Sequence, residues 1–286
     1  MGKVNFKLSG IIPPMVTPLT PEQVIDQDST CQLVDYLISG GVHALFILGS
    51  NGEGPLLTME MQKEFAGIVV NQVRGRIPVI VGVSDSSTRK ILDNIENLTS
   101  TGINAVVSTL PLYDSTGEKE QLNHFQILAD QSPLPVIIYD IPARVGTGVY
   151  PSVLFKLADH NNLIGLKDSS GDIRKFRQIT EEFTENRKFS LIIGHSDMID
   201  ISIYLGADGV VPSDAHLDSE LCVRIYKDAK EGRFIDARKR QMELNKKHRE
   251  IYTRYPDFKG VSRRICKRFL QEKGIITSDI VMDPYF

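Results

Sequence analysis

Along the chain, short runs in which nearly every position is apolar and β-branched alternate with longer stretches whose apolar residues recur at helical spacing beneath charged positions. The runs fall at 10–16, 43–49, 77–83, 104–109, 135–140, 162–167, 189–194 and 207–211, and each predicts a strand. Between them, helices are predicted at about 28–40, 58–74, 87–100, 118–131, 150–160, 171–185 and 197–205, several opened by Ser, Thr or Asp at an N-cap position. A strand that is apolar on every residue is buried on both faces, which is the situation of a parallel sheet covered by helices. Eight strand-helix units in succession predict a (β/α)8 TIM barrel. A doubly wound sheet would want a glycine fingerprint after the first strand, where this chain carries Pro13-Pro14 and Thr17-Pro18. Further helical patterns at about 217–231, 233–254 and 260–273 exceed the single helix that closes a minimal barrel. The expected organisation is a barrel core over 1–212 and a C-terminal helical extension over 213–286, packed together as a single domain.

Composition narrows the function. Of 286 residues, 41% are hydrophobic and 22 are glycine, the balance of an ordinary globular protein. With 33 Lys and Arg against 36 Asp and Glu, the net charge is −3 and no block of like charge stands out, which argues against a nucleic-acid or polybasic membrane surface. No apolar run approaches the 18 or so residues of a membrane span, and MGKVNFKLSG has no signal-peptide core, so a cytoplasmic protein acting on a small molecule is expected. Cys31, Cys222 and Cys266 stand far apart and read as reduced thiols. No H-x-x-x-H or H-E-x-x-H occurs, and Gly194-His195-Ser196-Asp197 is a weak candidate for metal chemistry. Neither a metal nor a cofactor is expected.

In a barrel of this kind the site lies at the C-terminal ends of the strands. Lys167 closes the apolar stretch Leu163-Ile164-Gly165-Leu166, where strand alternation could aim its amine into the barrel mouth. Desolvation there favours the neutral amine, the form that attacks a carbonyl to make a Schiff base. The plainer alternative is a lysine paired with Asp168 at a strand end. The turn Gly49-Ser50-Asn51-Gly52-Glu53-Gly54 could hold an anion on its backbone N–H groups, a carboxylate rather than a nucleotide phosphate, or be only a tight turn. Tyr113 and Tyr139 read either as proton relays or as core aromatics with one wet edge. Arg144 is either a solvated loop charge or a bidentate clamp for a substrate carboxylate.

Taken in order, these segments resemble the dihydrodipicolinate synthase / N-acetylneuraminate lyase family of class I pyruvate aldolases. The likeness rests on 10–18 (GIIPPMVTP), the Gly49-Ser50-Asn51-Gly52-Glu53 turn, Tyr139-Asp140-Ile141-Pro142, 165–171 (GLKDSSG) and 206–211 (GADGVV), and it covers essentially the whole chain. The resemblance implies that Lys167 forms the Schiff base with pyruvate or another 2-oxo acid and that the Tyr139 hydroxyl shuttles protons, with Ser50 and Tyr113 completing the relay. It also implies that Ser50 and Asn51 hold the 2-oxo acid carboxylate, that Val211 lies against bound pyruvate, and that Tyr113 crosses to a neighbouring subunit in a homo-oligomer, dimer or tetramer. Three departures bear on the substrate. Ser50-Asn51 replaces the hydroxyl pair usual in the synthases, and Asp168-Ser169-Ser170-Gly171 is closer to sugar-acid aldolases. Leu112-Tyr113 keeps only one of two paired tyrosines. Arg144, by contrast, matches the arginine with which the synthases bind the aldehyde's carboxylate. The expectation is reversible cleavage of a hydroxylated 2-oxo acid, of the 2-keto-3-deoxy sugar acid or 4-hydroxy-2-oxoglutarate type, to pyruvate and an aldehyde. The alternative is a 4-hydroxy-tetrahydrodipicolinate synthase condensing pyruvate with aspartate semialdehyde, and a non-catalytic 2-oxo acid binding protein is a third reading.

Overall fold

The eight apolar runs form short strands in the computed structural model, which describes residues 7–183, 188–255, 262–282 and 284. They are β1 Gly10–Ile11, β2 Leu45–Ile47, β3 Val79–Val83, β4 Ala105–Thr109, β5 Val136–Asp140, β6 Leu163–Asp168, β7 Ser190–Ile193 and β8 Gly209–Val210. All pair in parallel, in the order β1-β8-β7-β6-β5-β4-β3-β2. β1 is short because Pro13 and Pro14 have no N–H to give the ladder. The ring closes there through a parallel bridge between Pro14 and Phe46, with the Met15 N–H donating to Phe46 O at 2.9 Å and the Phe46 N–H donating to Pro13 O at 3.0 Å. At the opposite seam β1 lies so close to β8 that a Cβ on Gly209 would sit 2.6 Å from the Gly10 carbonyl oxygen.

Around the barrel run α1 Gln27–Ser39, α2 Met59–Val73, α3 Thr88–Thr99, α4 Glu118–Gln131, α5 Pro142–Val145, α6 Pro151–Leu157, α7 Ile173–Glu182 and α8 Ile199–Tyr204. Asp26, Thr58, Ser87 and Asp172 cap α1, α2, α3 and α7 by accepting backbone N–H groups of the first turn. The sequence pattern did not show α5, since four residues are too few to display a helical period; Pro142 starts it and left-handed Gly146 stops it. The predicted helix ends at 184–185 and 260–261 lie outside the described residues, as do residues 1–6 of the predicted barrel core.

The extension comprises α9 Ala215–Lys230, α10 Phe234–Arg254 and α11 Ser262–Glu272. α9 bends at Asp218 (φ −161°, ψ 86°), whose carboxylate accepts the Leu221 N–H and so restarts the helix. Leu221, Cys222, Leu244, Cys266 and Leu270 belong to the same continuous core as the barrel strands. Gln241 on α10 ties the layers together: its Oε1 accepts the Ile199 N–H at 2.9 Å and its Nε2 donates to Ser196 O at 2.9 Å. Among the described residues, no helix is long and apolar enough to cross a membrane.

Two buried histidines act as neutral struts. His216 donates from Nδ1 to Ser213 O at 2.7 Å and accepts the Val16 N–H on Nε2 at 3.2 Å. His124 donates from Nε2 to Thr109 O at 3.1 Å and accepts from the Thr88 hydroxyl on Nδ1 at 2.9 Å. Burial pulls the pKa of each from 6.5 down to about 4. The folded protein therefore keeps both neutral where the unfolded chain already takes up protons. The stability they confer is complete above about pH 6.5 and is lost as pH falls toward 4, at about 2 kcal/mol each by pH 5. Urea unfolding at pH 7 and pH 5 checks this: the drop should be smaller in His216→Gln than in the parent, and equal drops would refute the assignment.

Candidate active site

Period-two alternation along β6 sends Lys167 into the barrel and Asp168 out of it. Lys167 is 4% exposed, and its Nζ lies 3.5 Å from the centroid of the Tyr139 ring and 5.1 Å from that of Phe46. Tyr139 is its register partner on β5 and meets Phe46 edge to face at 6.2 Å. The Lys167 ammonium donates to Ser169 Oγ at 3.3 Å, a hydroxyl two positions on and therefore on the same face of the strand. Gly194 makes room for it, since a Cβ there would overlap the Ser169 hydroxyl.

Asp168 does not pair with this amine. Its Oδ1 accepts the Ser170 N–H at 2.7 Å, its Oδ2 is buried without a hydrogen-bond partner, and burial pushes its carboxyl above the usual range. The cation beside the neighbouring carboxylate, Asp140, is Lys175. Burial pulls the Lys167 pKa below that of an ordinary amine, with Tyr139 and Asp168 opposing. For Tyr139, burial pushes the phenol up, but the charge of Lys167 and hydrogen bonds with Lys167, Ser169 and Ser50 outweigh it and leave the pKa lowered. Each group is thus among the causes of the other's shift, and the two form a coupled amine-phenol pair.

The turn after β2 brings Ser50 to this pair. Leu48 (φ 56°) and Glu53 (φ 59°) are both left-handed, and the glycines between and beside them let backbone pack on backbone. A Cβ on Gly54 would overlap the Leu48 carbonyl, and one on Gly82 would lie 2.5 Å from the same oxygen. The Thr17 hydroxyl donates to Gly52 O at 2.6 Å, and Gln62 Nε2 donates to Gly54 O at 3.0 Å. Asn51 Nδ2 is buried with no protein acceptor, a donor suited to a ligand oxygen.

The structure thus brings Lys167, Tyr139 and Ser50 together, with Asn51 on the same turn. Val211 follows β8, is buried, and donates its N–H to Ile193 O at 2.7 Å. Arg144 lies exposed on α5, directly beyond the Tyr139 strand. Tyr113 is not brought to this chain's own pair: it is 97% exposed on the loop after β4, with φ 87°. Sequence reasoning missed Ser169 and Phe46 as neighbours of the amine; the i, i+2 rule along β6 could have found the first, whereas the second required the β2 register. Ser196 and Ser213, whose hydroxyls meet at 3.2 Å after β7 and β8, were likewise not anticipated. Among the described residues, no group of three or more His, Cys, Asp or Glu side chains stands at metal-binding spacing.

Fold and mouth together define an enzyme of the class I aldolase and lyase type. The chain belongs to the Dihydrodipicolinate synthetase family, whose profile matches residues 7–286. It is 30% identical over 252 residues to a 4-hydroxy-tetrahydrodipicolinate synthase of Methanopyrus kandleri, covering 87% of this chain and 83% of the relative. An uncharacterised lyase of Halobacterium salinarum is 32% identical over 234 residues, covering 82% of this chain and 76% of that protein. Among solved structures, dihydrodipicolinate synthase from Bacteroides thetaiotaomicron superposes with a TM-score of 0.91 at 33% identity, over 97% of this chain and 93% of that one.

The packing of the turn makes a sharp comparison. Gly54→Ala must push a methyl into the Leu48 carbonyl and should cost more than about 3 kcal/mol or abolish folding. Gly146→Ala meets nothing within 4 Å and carries only the strain of its positive φ (77°), about 1 kcal/mol. Denaturant midpoints of the two variants read the difference, and equal losses would mean the turn relaxes freely.

Proposed function

We propose that this protein condenses pyruvate with aspartate semialdehyde, as a 4-hydroxy-tetrahydrodipicolinate synthase, through an iminium on Lys167. The observation that carries the chemistry is the desolvated Lys167 amine lying 3.5 Å from the Tyr139 ring with no carboxylate paired to it. The names of the relatives favour the synthase over the aldol cleavage that the turn sequence suggests.

The neutral Lys167 Nζ adds to C2 of pyruvate, and the carbinolamine loses water to leave the iminium. Tyr139 supplies the proton that carries the hydroxyl off as water. The iminium acts as an electron sink, so a proton leaves C3 and the resulting enamine attacks the aldehyde carbon, whose oxygen takes up a proton. The amino group of the aspartate semialdehyde half then attacks the iminium carbon and displaces Lys167 Nζ, which closes the ring of 4-hydroxy-tetrahydrodipicolinate and returns the free amine. Ser50 hydrogen-bonds to Tyr139 and extends the proton path, while the Ser50 and Asn51 turn holds the pyruvate carboxylate. Val211 forms the apolar wall near the pyruvate methyl, and Arg144 receives the carboxylate of the aldehyde. Tyr113, exposed in its own chain, serves the mouth of a second copy in a homo-oligomer. A second reading has a specific support: Ser169 beside the amine, together with Ser50-Asn51, suits a hydroxylated 2-oxo acid, on which the same steps run in reverse as cleavage.

Borohydride with pyruvate should fix an adduct on Lys167 in the parent and none in Lys167→Ala; an adduct on Lys156 or Lys175 would overturn the assignment. Tyr139→Phe should still form the adduct but turn over about 10²–10⁴ times more slowly. Arg144→Ala separates the substrates. Losing a charged bidentate contact should cost about 2–4 kcal/mol in kcat/KM with aspartate semialdehyde and little with a neutral sugar aldehyde. A purified enzyme that cleaves 2-keto-3-deoxy acids and ignores aspartate semialdehyde would reverse the order of the two readings, and trapping without turnover on either would favour the binding protein.

A further inference from the structure

The turn that carries Ser50 and Asn51 is held from outside the barrel. Glu53 ends it in a left-handed conformation, and its side chain points away from the mouth to a wholly buried site between the turn and the C-terminal helices. There Oε1 accepts from Lys267 Nζ on α11 at 2.6 Å, and Oε2 accepts the Met282 N–H at 2.7 Å. Lys267 is 0% exposed and also donates to Ile280 O at 2.6 Å, while Arg263, one turn earlier on α11, places Nε 3.6 Å from Glu53 Oε2. The C-terminal segment that supplies Ile280 and Met282 is itself fastened at Thr277, whose N–H donates to Ser29 Oγ at 3.0 Å and whose carbonyl accepts from Gln271 Nε2 at 3.0 Å.

We infer that Glu53 and Lys267 are positioning residues, a buried clamp joining α11 and the 275–282 segment to the turn so that Ser50 and Asn51 are already in place when a 2-oxo acid carboxylate arrives. The inference rests on the pyruvate reading above. A buried ion pair is a poor way to add stability, because desolvating both charges consumes most of the attraction, and well-packed apolar residues would often do as well. What it does supply is direction: a carboxylate with both oxygens engaged by named donors fixes one orientation. The backbone needs fixing at this place, since Leu48 and Glu53 hold a conformation that side-chain-bearing residues adopt only when their surroundings impose it. Ser50 and Asn51 lie three and two positions before Glu53, within the same backbone arch, closed by the Gly54 N–H donating to Gly49 O at 3.3 Å. A clamp released at Glu53 therefore lets the carboxylate-binding donors drift while Lys167 and Tyr139, on β6 and β5, stay where they are.

The pyruvate dependence of borohydride trapping on Lys167 tests this in the full-length protein, because it separates binding from the covalent step. Glu53→Gln and Lys267→Met should each raise the pyruvate concentration for half-maximal trapping by about 10-fold or more, with the limiting rate at saturation lowered much less. Arg240→Met, which removes an ion pair between α10 and Asp228 on α9, is the control for lost stability: it should lower the melting temperature and leave half-saturation alone. If Lys267→Met does not fold, Glu53→Gln, which keeps the volume of the side chain, carries the measurement. A folded variant of the pair whose half-saturation stays within about twofold of the parent, or moves no more than that of Arg240→Met, overturns the clamp. A parent that pyruvate and borohydride fail to label overturns the pyruvate reading itself, which is a separate outcome.

Discussion

Withdrawing an amine from water without giving it a carboxylate is the constraint to which the rest of the site answers. Lys167 sits at a strand end where the next residue is Asp168, and in solution the two would pair. The pleat forbids it: consecutive side chains leave a strand on opposite faces, so the amine enters the barrel and the carboxyl enters the helical layer. Inside, the amine meets the faces of Tyr139 and Phe46 and the hydroxyl of Ser169. Aromatic faces attract a cation, yet far less than a buried carboxylate would. Burial thus favours the neutral amine, and Tyr139 stands beside it.

Most of this architecture was legible in the chain because the barrel rests on two strong local signals, strands buried on both faces and amphipathic helices between them. What the pattern blurred were ends. The runs at 10–16 and 43–49 contract to two- and three-residue ladders since Pro13 and Pro14 cannot donate and since Leu48 turns left-handed, neither of which alters hydrophobicity. The closeness of Lys167 and Tyr139 was readable because each lies near a strand end, where the fold itself tells which way a residue faces, and that of Ser50 because its turn follows directly on β2. Tyr113 stands exposed on the loop after β4, where strand alternation says nothing and the expectation of a crossing to a second subunit rests on the resemblance alone. The bond from Glu53 to Lys267 joins positions 214 apart in sequence, and no local rule connects them.

Substrate choice is the part least determined by the fold. Covalent capture of a 2-oxo acid needs the amine, the phenol and a carboxylate-binding turn, and these come from β2, β5 and β6. In the proposed reading the aldehyde half is met by Arg144 on α5, beyond the end of β5. Loops change without disturbing the ladder, so one barrel serves condensation and cleavage alike. Names of relatives at 30% identity favour condensation, while the departures at Ser50-Asn51 and Asp168-Ser169-Ser170 favour cleavage.

The chain buries a second lysine, and the comparison shows what decides the role of each. Burial lowers the pKa of Lys167 and of Lys267 alike. Lys267, however, has the Glu53 carboxylate at 2.6 Å and the Ile280 carbonyl at 2.6 Å, partners that hold the ammonium form in place. Removing one member of such a pair strands the other charge, which makes it a fixture rather than a reagent. Lys167 has rings and hydroxyls, which tolerate loss of its proton. Two lysines withdrawn from solvent thus differ in the groups that face them, which fits the roles proposed here: one a fastening for the turn, the other a nucleophile.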